Sequence, residues 1–170
     1  SRDHHRVNAG ISIEGLSHRY GLKLALDDVT FNVGDGRFCA LFGPNGAGKS
    51  TLVSLISGLF AARHGRVVIA GHDMAKEPRR ALAAMGIVFQ SPALDTDLTV
   101  SQNMSYYAAL HGMSGRQAAA AIEESLDRLG MGERLGEKVR NLNGGHRRRM
   151  EIARALIHKP KVLLLDEPTA

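Results

Sequence analysis

The sequence is poor in cysteine, in long apolar runs and in repetition. Of its 170 residues only Cys39 is a cysteine, so an intrachain disulfide is excluded, as fits a reducing compartment. Within Phe38-Cys39-Ala40-Leu41-Phe42 that thiol reads as a small buried apolar residue. No apolar stretch approaches the roughly 18 residues of a membrane span. Phe38–Phe42 and Val162–Leu165 are among the longest. A membrane role therefore has to come through a partner. The polar opening Ser1-Arg2-Asp3-His4-His5-Arg6 lacks the apolar segment of a secretory signal, and the residues to about Ala9 read as a frayed arm. The 19 glycines have no three-residue period, which excludes a collagen-like chain.

What is present is ordinary globular composition, with 44% hydrophobic and 23% charged residues, which points to one packed domain at this length. The net charge of +5 admits nucleic acid, anionic lipid or small anions as partners. The basic residues are scattered apart from Arg79-Arg80 and His146-Arg147-Arg148-Arg149. A solvated face is the plainer reading of that pattern, and a nucleic-acid partner is not expected.

Ile11–Glu14 and Val29–Val33 alternate like half-buried strands, and Gly34-Asp35-Gly36 is a turn signal, so the chain opens on an antiparallel pair. Phe38–Phe42 is a continuous apolar run ending at glycine, as in a buried parallel strand. Lys49 to about Leu59 places Leu52, Leu55, Ile56 and Leu59 on one helical face, with Gly58 near its end. Val67–Ile69 and Gly86–Phe89 read as strands, and Pro78–Met85 as a short helix between them. Thr99-Val100-Ser101-Gln102 is a capping box, and Ser114-Gly115-Arg116-Gln117 repeats its spacing. The helix after Ser114 carries Ala119, Ile122, Leu126 and Leu129 and stops at Gly130. A last helix over about 147–158 carries Met150, Ala153 and Ile157. Pro160 bars its continuation, and Lys161–Leu165 is a final buried strand. The fold class expected is α/β: an antiparallel part, a parallel core sheet and an inserted helical subdomain over about 97–145.

Gly43-Pro44-Asn45-Gly46-Ala47-Gly48-Lys49-Ser50-Thr51 fits the phosphate-loop pattern G-x-x-x-x-G-K-S/T. Its glycines let successive N–H groups turn inward onto phosphate oxygens, and the following helix adds its positive end. Lys49 supplies a point charge between β- and γ-phosphates, and the Ser50 hydroxyl is a Mg²⁺ ligand. An apolar strand before the loop and an amphipathic helix after it are the context such a loop needs. Val162-Leu163-Leu164-Leu165-Asp166-Glu167 delivers two carboxylates at the end of a buried strand, where parallel sheets bind ligands. Asp166 is placed to hold the Mg²⁺ and Glu167 to polarise an attacking water as general base. Leu142-Asn143-Gly144-Gly145-His146 precedes the last helix and makes a second anion-binding helix start. Since one nucleotide already has a loop of its own, this points to a contact with the nucleotide of another copy; a plain helix-entry turn is the alternative.

These motifs together resemble the nucleotide-binding subunit of ABC transporters, an ABC-type ATPase, over about Ile11 to Ala170. Leu142–His146 is similar to the family's LSGGQ signature, and Ile152–Leu156 to the ARAL-ending helix after it. The resemblance implies a P-loop NTPase core that binds and hydrolyses ATP with Mg²⁺ and powers transport, in the export direction, through a separate permease. It implies that Tyr20 stacks on adenine and that Gln90 contacts Mg²⁺ and the attacking water. Glu167 and Gln90 are then the catalytic residues, and the ATP-binding set is Tyr20 with Gly43, Asn45, Gly46, Ala47, Gly48, Lys49, Ser50 and Thr51. Ser50, Gln90 and Asp166 would hold the metal, and Asn143, Gly144, Gly145 and His146 would reach the nucleotide of a second subunit in a homodimer. The location implied is peripheral, at the cytoplasmic face of the cell membrane. Asn143 stands where the family usually has serine and His146 where it has glutamine; the Asn143 amide can still donate to a γ-phosphate. The wording LNGGHRRR, with FQSPALDTDLTV upstream, resembles a subgroup associated with PQQ-dependent alcohol oxidation. In the family a D-loop and a switch histidine follow the Glu167-Pro168-Thr169 segment, whereas all eight histidines here precede it, so a C-terminally truncated product is expected. Two other enzyme classes stay open on the motifs alone: a soluble ABC-type ATPase acting on nucleic acid or ribosomes, and a small-molecule kinase. A non-catalytic remnant is the third alternative.

Overall fold

The computed structural model describes residues 9–34, 36, 38–43, 47–90 and 94–168. The frayed arm read over the opening residues lies outside this set up to residue 8, as do Asn45, Gly46 and Thr169. The chain forms two compact units, one from residues up to Gln90 together with those from Pro160 onward, the other Ser91–Lys159.

The first unit opens on strands β1 (Ala9–Tyr20) and β2 (Lys23–Gly34), an antiparallel hairpin far longer than the alternation predicts. The reason is Gly15. Ile11 and Ile13 face inward in strict alternation, and the next inward residue is Leu16, one position late. Gly15 takes a left-handed φ of +56° there, and the register shifts across it in both pairings of β1. This bulge returns an apolar side chain to the core after a break that sequence alternation reads as an end. β3 (Phe38–Gly43) leads to helix α1 (Ala47–Ile56), then come β4 (His64–Ile69), β5 (His72–Asp73), α2 (Pro78–Ala83), β6 (Met85–Val88) and, after the second unit, β7 (Val162–Pro168). Two sheets result: an antiparallel one ordered β2-β1-β4-β5 and a parallel one ordered β3-β7-β6. Ile11, Ile13, Leu55, Ile56, Ile69 and Leu164 belong to one buried cluster fed by both sheets and α1. Cys39 is half-buried on β3, and burial raises its thiol pKa, so it behaves as a packed residue. Leu59 corrects the expected helix face: α1 stops at Ile56, Gly58 turns the chain at φ +77°, and Leu59 is left exposed.

The second unit holds α3 (Val100–Leu110), α4 (Gly115–Arg128), two 3-10 turns and α5 (Gly144–Ala155). Thr99 caps α3 as predicted: its hydroxyl accepts from the Gln102 N–H at 3.1 Å, and the Gln102 side chain accepts from the Thr99 N–H at 2.9 Å. Ser114 does not repeat this. Gly115 enters α4 at φ +58°, outside the helical region, and the Ser114 side chain makes no cap bond. The buried face of α4 is Ala118, Ala121, Ile122, Ser125 and Leu126, so Ala119 points to solvent. α5 begins at Gly144, three residues before the predicted start. Its Met150 and Ala153, with Ile157 just beyond, join Val100, Met104 and Leu126 in one buried cluster. That packing binds α5 to the helices before it within the unit Ser91–Lys159.

Candidate functional site: strand ends of a parallel sheet

β3 is short and apolar and lies parallel to β7, with Leu41 opposite Asp166, Phe42 opposite Glu167 and Gly43 opposite Pro168. This register brings the root of the phosphate-loop motif beside the two carboxylate-bearing residues, although more than a hundred positions separate them in the chain. β6 flanks β7 on the other side, with Val88 opposite Leu165, and Gln90 follows two residues later. Three strand ends therefore deliver Gly43, Asp166-Glu167 and Gln90 to one edge, the carboxyl end where parallel sheets take ligands.

Lys49, in the first turn of α1, joins these ends. Its ammonium donates to the Glu167 carbonyl at 2.7 Å and to the Gln90 side-chain oxygen at 3.5 Å, and it meets Asp166 Oδ1 at 3.1 Å as an ion pair. The Lys49 and Asp166 side chains are 9% and 14% exposed, so the pair is largely withdrawn from solvent and its attraction is little screened. Asp166 Oδ1 is buried and makes no hydrogen bond in addition to that ion pair. Glu167 is half-buried.

Gly48, the last glycine of the motif, is closely packed. A Cβ there would stand 3.3 Å from the Ala25 carbonyl oxygen. Ala25 is the residue that β2 skips in pairing, since His18 lies opposite Leu26 and Arg19 opposite Leu24. The bulged carbonyl is thus pressed against the start of α1. Ser50 is exposed beside Lys49. Thr51 is 1% exposed, and its hydroxyl lies 2.9 Å from that of Tyr20 at the end of β1. Tyr20 and the helix start are therefore tied directly. The Thr51 tether, the Glu167 carbonyl and the bulge at Ala25 leave no trace in the sequence, because each depends on strand register. Asn45 and Gly46 lie outside the described residues; Gly43 and Ala47 bound the loop as the last residue of β3 and the first of α1.

Asn143–His146 belongs to the helical unit. Asn143 is the cap of α5, its Oδ1 accepting the His146 N–H at 2.8 Å. Asn143, Gly144 and Gly145 are exposed and His146 is half-buried. The Arg147 guanidinium donates to the carbonyls of Val139 and Arg140, both at 3.2 Å, pinning the preceding turn to the helix start. The exposed glycines leave the first N–H groups of α5 open to an outside acceptor.

Residues 26–170 match the family described as ABC transporter. The chain belongs to that family. Among its relatives, the daunorubicin resistance ATP-binding protein DrrA3 of Streptomyces coeruleorubidus is 39% identical over 163 residues, covering 96% of this chain and 52% of that protein. The Nod factor export ATP-binding protein I of Rhizobium johnstonii is 37% identical over 159 residues, 94% of this chain and 51% of that protein. The chain thus spans about half the length of the curated relatives it matches. Among solved structures, cbiO1 from Clostridium perfringens, described as part of the ABC transporter complex cbiONQ, superposes with a TM-score of 0.80 at 28% identity. It covers 94% of this chain and 66% of its own. This ABC family chain shares the α/β architecture of those structures, and among its described residues no helix is long and apolar enough to cross a membrane.

Proposed function

We propose that this chain binds and hydrolyses ATP as part of the nucleotide-binding subunit of an ABC transporter, driving export through a separate permease. The observation that carries this reading is the convergence of Lys49 with Asp166, Glu167 and Gln90 at the ends of β3, β7 and β6. The relatives named for drug resistance and Nod factor export support the direction. A triphosphate offers Lys49 more negative charge than one carboxylate, so the ammonium transfers from the strand ends to the β- and γ-phosphates. The first N–H groups of α1 receive the same anion.

The donor set fits Mg²⁺. Asp166 Oδ1 is a buried carboxylate oxygen without a hydrogen bond, and the Gln90 amide oxygen and the Ser50 hydroxyl are further hard ligands on the same strand ends and helix start. Asp166, Ser50 and Gln90 would hold the ion, which supplies charge neutralisation between β- and γ-phosphates when bound. Glu167 acts as the base. It takes a proton from water as the oxygen bonds to the γ-phosphorus, and the bond to the β–γ bridging oxygen breaks with its electron pair leaving on ADP. Asn143, Gly144, Gly145 and His146 present donors to the nucleotide of a second copy, so two chains close on two ATP molecules. Tyr20 receives the adenine ring. The subunit works peripherally at the cytoplasmic face of the membrane, its permease partner spanning the bilayer.

Two variants test the reading in the full-length subunit. Lys49→Ala should lose Mg·ATP binding by at least about a hundredfold; undiminished affinity would overturn it. Glu167→Gln should keep binding and lose turnover, and an unchanged hydrolysis rate would remove Glu167 from the role of base.

A further inference from the structure

Three rings gather at the end of β1: Tyr20, already read as the base-stacking aromatic, with His18 and Phe60, which lie outside every motif in the sequence. His18 and Tyr20 are two apart on one strand, so their side chains leave the same face. Phe60 arrives from the loop after α1. The His18 ring lies nearly parallel to Phe60, centroids 5.6 Å apart at 12°, and meets Tyr20 edge-on at 4.9 Å and 73°. Tyr20 also stands edge-on to Phe60 at 6.3 Å and 73°. At its far end the Tyr20 hydroxyl is held by the buried Thr51 hydroxyl. Tyr20 is therefore fixed at both ends, by an oxygen on α1 and by a two-ring stack on its flank, while 44% of it stays exposed. Edge-to-face contacts fix the orientation of a ring as well as its position, because the positive rim of one ring seeks the negative face of the other.

We propose that His18, backed by Phe60, is a positioning residue for nucleotide-base recognition: it locks the Tyr20 ring as a ready-made stacking surface. This rests on the reading that Tyr20 receives the adenine. A ring already immobilised loses little freedom when a base stacks on it, so the brace acts on affinity for the base and not for the phosphates. Lys49 and the first N–H groups of α1 are the partners read for the triphosphate, and Tyr20 is tied to that helix start through its hydroxyl on Thr51.

The experiment compares the chain's affinity for Mg·ATP with that for Mg·tripolyphosphate, which carries the anionic tail without base or sugar. His18→Ala should weaken Mg·ATP binding by roughly three- to tenfold and leave tripolyphosphate binding unchanged. His18→Phe, which restores a ring, should recover the wild-type ratio. His18→Ala combined with Tyr20→Ala should lose no more than Tyr20→Ala alone, since the histidine acts through the tyrosine. Should His18→Ala fail to fold, Phe60→Leu keeps the apolar bulk, removes the stack and is expected to give the same base-selective loss. Equal losses for both ligands would reduce His18 to a structural role and overturn the proposal. A base-selective loss in Tyr20→Ala, with none in His18→Ala or Phe60→Leu, would overturn the brace while leaving the Tyr20 reading intact. An unchanged ratio in Tyr20→Ala would overturn that reading too, and a wild-type chain that binds neither ligand would overturn the phosphate-loop reading itself.

Discussion

In the unit that carries Lys49, polar side chains meet across strands and between strand and helix. In the helical unit several serve a single helix turn, beside exposed longer-range pairs such as Arg140 with Asp97 and Lys159 with Glu124. Lys49 reaches a carbonyl 118 positions away, and Arg66 donates to Glu14 across 52. Thr99 with Gln102, Asn143 with His146 and Arg148 with Glu151 are each three residues apart. The long-range bonds exist only once two sheets have formed in register, so they report on tertiary structure and serve chemistry. The short-range ones need only one turn of helix and serve the helix itself. Damage to the two kinds of bond should therefore differ in size and in what it spoils.

The largest effect is expected at Lys49. Lys49→Ala leaves the Asp166 carboxylate withdrawn from water without its cation, which should cost about 3 kcal/mol of folding stability besides the loss of nucleotide. Urea unfolding of Lys49→Ala, Asp166→Asn and the double variant measures this, and the double variant should recover most of the loss. Simple additivity would break the claim that the pair is a unit. Next comes glycine replacement in each unit. Gly65 on β4 has φ +87°, and a Cβ there would land on the carbonyls of Glu14 and Gly15; Gly112 after α3 has φ +72° with open space around it. Gly65→Ala should destabilise by about 3 kcal/mol or more and Gly112→Ala by about 1 to 2, both read from thermal melts. Equal losses would show that backbone conformation alone decides both sites.

Cap removal is smaller again. Thr99→Ala should cost about 1 kcal/mol and Ser114→Ala within about 0.3, because only the first makes the bond. A comparable loss at Ser114 would mean that its hydroxyl caps α4 in solution. The smallest effect concerns pH. The His111 imidazole, stacked on His158 at 4.3 Å with Tyr107 beside both and Arg154 over the Tyr107 ring, is held below its ordinary value first by burial and then by His158. The unfolded chain thus takes up this proton before the folded one as pH falls. The stability it contributes is complete above about pH 6.5 and is lost as pH falls from there through the lowered folded value. Wild type should lose stability relative to His111→Phe as pH falls from 7.5 to about 5, read as a change in the difference between their urea midpoints; a difference that does not move with pH would show that the stacked pair carries no such coupling.

The same contrast explains what was legible in the sequence. The Thr99 box, the Asn143-Gly144-Gly145 turn, the Lys49 motif and the apolar face of α5 are local patterns, and local patterns are written in neighbouring residues. β1 looked four residues long because Gly15 breaks a period-two rhythm that only a bulge restores. The second capping box failed on the backbone angle of Gly115, which no spacing rule contains. Asp166 and Glu167 could be recognised as chemistry, yet their placement against Lys49 follows from the pairing of Leu41 with Asp166. Thr51 reads as one more phosphate-loop hydroxyl, and nothing near it in the chain announces that Tyr20 lies against it.

β3 carries a further consequence. Among the described residues it has β7 on one flank alone, and Phe38 is 68% exposed on that strand. A row of outward amides and carbonyls beside an uncovered phenyl ring invites any extended peptide to lay itself alongside. Wherever that border stays bare, growth by strand addition in crowded solution is the expected outcome. Light scattering that climbs steeply with concentration would be its first sign, well before any melting.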